Sequence, residues 1–161
     1  MSVKDAIVKQ FDATWRELRK ACEQIPDDQW ATADVQLLMP GRQVLHAIGC
    51  AQGYGRDEEP NWLEVCSAFW GRDMDWEAVA ADDLPGQQDM LAYLEHVRQG
   101  IDAWLADKTD ADLLAPQTVF PWTGPNILSR CIYVIRHTQA HIGEINSELR
   151  RRGLPRIKWE A

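Results

Sequence analysis

His137 and His141 stand four residues apart in the run RHTQAH. On a helix this spacing sets their Cβ atoms about 5–6 Å apart on one face. Two imidazoles can close that span onto one ion at roughly 2.0–2.1 Å per bond. The run is not a zinc-protease signature, because Thr138 follows His137 where that mechanism needs a glutamate as base. His46, far upstream, is the natural third ligand, whereas His96 falls outside the apolar positions of its own segment and reads as a surface residue. Three imidazoles are a ligand set that zinc sites use. Imidazole nitrogens suit zinc, nickel, iron and copper alike.

The residues around these histidines carry two readings each. Gly49, Cys50 and Gly53 follow His46 at one and two helical turns. Each glycine gives up about 1 kcal/mol of helix propensity, which fits an open pocket beside a metal and equally fits close helix–helix packing. Cys50 is either a fourth ligand or reactive thiol, or a small core residue. Glu144, three residues past His141 on the same face, is an outer partner of the metal, a base for a bound water or thiol, or a solvated glutamate. Gln52 and Tyr54 come near the pocket mouth if the helix carrying His46 stays regular. Arg150, Arg151 and Arg152 form a tight basic run at a helix C-terminus, where the helix dipole favours cations.

Four amphipathic segments must position this chemistry. The first runs from a cap at Ser2, with Asp5 three residues on, through Val3, Ile7, Phe11, Trp15, Leu18, Cys22 and Ile25 to a stop at Pro26. A polar stretch, 27–33, follows with Trp30 as its one large apolar group. Pro40 and Gly41 launch a second helix from about Arg42 to Asp57, with Val44, Leu45, Ile48, Ala51 and Gln52 on its core side. Residues 58–88 read as a long crossover containing a short helix over Trp62, Leu63, Val65, Cys66, Phe69 and Trp70, since so long a structureless loop is uncommon in a compact domain. A third helix keeps Met90, Leu94, Val97, Ile101, Trp104 and Leu105 on one stripe and stops near Lys108. After a proline-bearing loop, 115–125, Asn126 caps the longest helix, 127–152, which Gly153 and Pro155 end. The fold class expected is all-α, a four-helix bundle forming a single domain over residues 1–161, in which the long crossover permits the second and third helices to run parallel.

His46 in VLHAIGCAQGY and the downstream run YVIRHTQAHIGEINSELRRRGLP, residues 133–155, together resemble the DinB-like superfamily. That group is related to bacillithiol transferases and mycothiol-dependent maleylpyruvate isomerases. The histidine pair followed by Gly143 and Glu144, with Gly-Leu-Pro soon after, is the part most similar to it. The resemblance implies an up-down-down-up bundle and a divalent metal, zinc or nickel first among the choices, on His46, His137 and His141. It further implies a metal-dependent enzyme of the thiol-dependent S-transferase or hydrolase type, with a low-molecular-weight thiol as a further cofactor.

Composition narrows the partners. With 17 Lys and Arg against 25 Asp and Glu among 161 residues, the formal charge is −8, so a phosphate backbone is repelled and nucleic acid is not the expected partner. No apolar run approaches the roughly 20 residues that span a bilayer, and the N-terminus lacks the continuous apolar stretch of a signal peptide, so the expectation is a cytoplasmic protein acting on a small molecule. Cys22, Cys50, Cys66 and Cys131 form no C-x-x-C pair and are expected to be reduced, buried thiols. A homodimer is compatible with a bundle of this kind. A second functional reading keeps the bundle but not the catalysis, as a metal-stapled or interaction protein of the stress response.

Overall fold

The computed structural model describes residues 2–160, and they are all-helical, with one isolated β-bridge between Pro116 and Asn126. Four long helices, α1 (Val3–Gln24), α3 (Pro40–Tyr54), α5 (Gln87–Ala106) and α7 (Ile127–Arg151), alternate with three short ones. The short ones are α2 (Asp27–Trp30), α4 (Ser67–Trp70) and α6 (Asp110–Leu114). Their ends follow from local chemistry. The Ser2 hydroxyl accepts from the Asp5 amide while the Asp5 carboxylate accepts from the Ser2 amide, closing a capping box at the start of α1. Asn126 accepts from the Ser129 amide at the start of α7, and Gly153 takes the left-handed conformation beyond its end.

Several boundaries differ from those read in the sequence. The second long helix begins at Pro40 rather than Arg42, because proline at the first position loses an amide that would be unpaired there anyway. It ends at Tyr54, and the chain then turns so that Asp57 accepts from the Trp104 indole and pairs with Lys108. The crossover is broken into a 3₁₀ turn at 62–64, α4, and a second turn at 81–83. The short α2, which buries Trp30, lies in the stretch read only as polar, and α6, capped by a Thr109–Asp112 box, fills residues 110–114, to which the sequence assigned no element.

α1 packs against α5 and α7, and α3 packs against the same two helices, so the four long elements surround one continuous apolar core. Phe11, Trp15, Leu18, Leu45, Ile48, Met90, Leu94 and Ile145 are buried in it. All four cysteines are buried and free. No helix among the described residues is long and apolar enough to cross a membrane.

Candidate metal centre

The α3–α7 interface carries the three histidines. His46 lies on α3, and the four-residue spacing of His137 and His141 sets both on the one face of α7 that meets it. A nitrogen from each ring lies within 4.8 Å of the others, which makes this a group able to hold a metal ion. Nε2 of His141 is 3.2 Å from Nε2 of His137. Two nitrogens on one tetrahedral ion at roughly 2.0–2.1 Å would stand about 3.3 Å apart, so the spacing fits a shared ion.

Burial keeps these rings uncharged. It lowers the pKa of His46 to about 4, with His141, His137 and Arg42 adding repulsion, and it lowers His137 to about 4, with His141 adding repulsion. Burial also lowers His141, against the opposing pull of the Glu144 carboxylate. Neutral imidazoles offer lone pairs at physiological pH, the form a metal requires.

Each of the three rings has supporting neighbours. Nδ1 of His141 meets Oε2 of Glu144 at 3.1 Å and also the carbonyl oxygen of the Gln43 side chain. A carboxylate behind a ligating imidazole fixes its orientation and raises its basicity. Trp76 lies over His46 with ring centroids 5.2 Å apart, and its indole donates to the Trp62 carbonyl at 2.7 Å. Tyr133 stacks on His137 at 6.1 Å. Thr138, at the position where a zinc protease carries its base, is wholly buried.

A cavity of about 470 Å³ opens onto the cluster, lined by Leu37, Leu38, Arg42, Gln43, His46, Glu77, His141 and Glu144. This is the size of a small-molecule site. The pocket sits on the Arg42–Gln43 side of His46, not beside the glycines. A Cβ on Gly49 would come 3.1 Å from Cys66 Sγ and from the Trp76 ring, and one on Gly53 would come 2.3 Å from the Trp62 ring. Close packing accounts for those glycines, but against side chains of the crossover rather than between two long helices.

Of the other residues singled out in the sequence, Glu144 lines the pocket with a half-exposed side chain. Cys50 Sγ is 3.5 Å from Nε2 of His46, but burial raises its thiol to about 12 and it lies outside the group of three. Gln52 is not brought to this pocket. It accepts from the Tyr93 hydroxyl and lines a separate, smaller cavity with the exposed His96, because six residues of helix turn it away from His46. Tyr54 is buried among Trp62, Phe120 and Tyr133, with its hydroxyl accepting from Trp122, and it reaches the centre through other rings: Tyr133 against His137, and Trp62 and Trp76 against His46. Of the basic run, Arg151 and Arg152 pair with Glu148, and Arg152 also donates to the carbonyls of Gln29 and Thr32. Those two arginines fasten the end of α7.

Sequence reasoning missed Gln43, Arg42, Glu77 and Trp76. Gln43 and Arg42 had a local signal, since they precede His46 by three and four residues on one helix and so share its face.

In this all-helical chain, three imidazoles gathered between two helices at an open pocket form a group that could hold a divalent ion. The chain belongs to the DinB superfamily, whose family model matches residues 10–145, a stretch that includes His46, His137, His141 and Glu144. No curated protein matches the chain.

Proposed function

We propose that this protein is a metal-dependent enzyme acting on a small molecule, foremost a thiol-dependent S-transferase and alternatively a hydrolase. The observation that carries the reading is the pocket of about 470 Å³ whose wall includes two of the three converging histidines. A purely structural ion would be expected in a closed site, so this opening favours catalysis over a metal that only staples the helices.

His46, His137 and His141 would hold the ion. When bound, it supplies Lewis acidity, making a thiolate or hydroxide available near neutral pH. Glu144 receives the proton: Oε2 serves His141, and the second oxygen of this half-exposed carboxylate is left for the substrate. Arg42 donates to the Glu77 carbonyl and fixes the wall opposite, while Leu37 and Leu38 give the pocket an apolar lip.

The bundle is read as up-down-down-up. Three pairings support this: Lys4 donates to the Ala106 carbonyl while Gln87 donates to that of Ile25; Gln52 meets Tyr93 while Asp57 meets Trp104; and Gln43 meets His141 while Arg130 donates to the Arg56 carbonyl. A single domain is supported by the one continuous core.

The test is an assay of zinc- and nickel-loaded protein with a panel of small thiols plus an electrophilic acceptor, and in parallel with activated esters. Metal-dependent conjugation that disappears in His137→Ala supports the transferase, and metal-dependent ester cleavage alone supports the hydrolase. Turnover equal in the loaded wild type and His137→Ala overturns the proposal.

A further inference from the structure

We propose that Gln43 is a positioning residue that selects the tautomer of His141, holding the proton on Nδ1 so that the Nε2 lone pair faces the other two histidines. This rests on the reading of the three histidines as a metal centre, and it concerns a residue that touches no reacting atom.

The argument starts from the two ends of one buried carboxamide. Gln43 is 8% exposed. Its Nε2 donates to the Leu37 carbonyl and its Oε1 meets Nδ1 of His141. A backbone carbonyl only accepts hydrogen bonds. Turning the amide over would therefore set oxygen against oxygen at Leu37 and leave buried acceptors unpaired, which is unfavourable. The Leu37 carbonyl thus decides which end of the amide faces His141. With only an oxygen presented there, Nδ1 must be the nitrogen that carries hydrogen. The neutral ring then has its lone pair on Nε2, the atom 3.2 Å from Nε2 of His137.

Glu144 favours the same tautomer at 3.1 Å, but its side chain is 49% exposed, so water competes for it. Gln43, at 8% exposed, is far less open to that competition. It is also held at both ends, one of them on the 36–38 turn that forms the pocket lip. The carboxamide therefore links the segment a substrate would touch to the orientation of a ligand, a supporting role that outer partners of metal histidines commonly fill.

Two variants separate this role from mere packing. Gln43→Leu keeps much of the volume and removes both hydrogen bonds. Gln43→Glu keeps an acceptor for His141 and loses the donor to Leu37. Long-range ¹H–¹⁵N spectra of the histidine rings, recorded on metal-free protein at slightly alkaline pH, report the tautomer directly, and competition with a chromophoric chelator reports zinc affinity. We expect the wild type and Gln43→Glu to show the His141 proton on Nδ1. Gln43→Leu should lose that preference and bind zinc about 10–100-fold more weakly, with a folded circular dichroism spectrum. A wild-type His141 protonated on Nε2 would overturn the proposal, as would a Gln43→Leu variant that keeps both the tautomer and an affinity within about threefold of wild type. Failure of the wild type to bind zinc would instead defeat the metal reading, and the metal-free spectra would still decide the role of Gln43.

Discussion

Zinc binding at about pH 5.5 tests the electrostatics of the centre, because metal expels whatever protons its ligands hold. An ordinary imidazole with a pKa of about 6.5 carries about 0.9 proton at that pH, so three of them would release about 2.7. In this fold burial is the main cause that holds His46 and His137 down at about 4. Each should then carry only about 0.03 proton at about pH 5.5. His141 is lowered by burial and raised by Glu144, the net being downward, so it adds at most about 0.9. The expected release is therefore below about one proton per zinc. Calorimetric titration in two buffers of different ionisation enthalpy gives the count from the dependence of the observed heat on the buffer. A release near 2.7 would show that the rings are solvated, and the argument from burial would be wrong.

Three further outcomes follow from the packing and the titration. Metal-free protein should lose thermal stability as the pH falls from about 6.5 towards 4, since the unfolded chain binds protons at His46 and His137 across that window and the folded chain does not; a melting temperature that stays flat over the window contradicts it. Trp76→Ala, at a side chain 3% exposed over His46, should destabilise by about 3–5 kcal/mol, lowering the melting temperature by roughly 6–20 °C; a loss under about 1 kcal/mol would mean the crossover is not anchored there. Gly100→Ala, with open space around the new Cβ, should stabilise by about 0.5–1 kcal/mol, whereas Gly53→Ala should destabilise because its Cβ would meet the Trp62 ring at 2.3 Å. Chemical denaturation of the pair checks both signs.

The sequence was most legible where structure is local. Ser2, Asn126 and Gly153 mark their helix ends by side-chain and backbone chemistry that acts within a few residues, and the structure places those ends within a residue of the reading. His137 and His141 were legible for the same reason, since helical geometry alone brings them together. The third histidine was nominated rather than located: His46 is ninety-one residues from His137 in the chain, and only packing of α3 on α7 brings it to the pair. The glycines beside His46 were ambiguous until Trp62 and Trp76 were seen to occupy the space they leave. Those tryptophans come from a crossover with no sustained periodicity, so nothing local could say where their rings would lie. Gln52 shows the converse failure. It is expected near the pocket mouth if its helix stays regular, yet on that regular helix the rotation over six residues turns it towards Tyr93.

The central claim is that His46, His137 and His141 share one ion, and elemental analysis tests it most directly. Untagged protein, reconstituted with zinc or nickel and freed of excess metal, should carry one divalent ion per chain, and His46→Ala should carry none while remaining folded. A wild type without bound metal after reconstitution, or a His46→Ala variant that retains the full equivalent, would contradict the account.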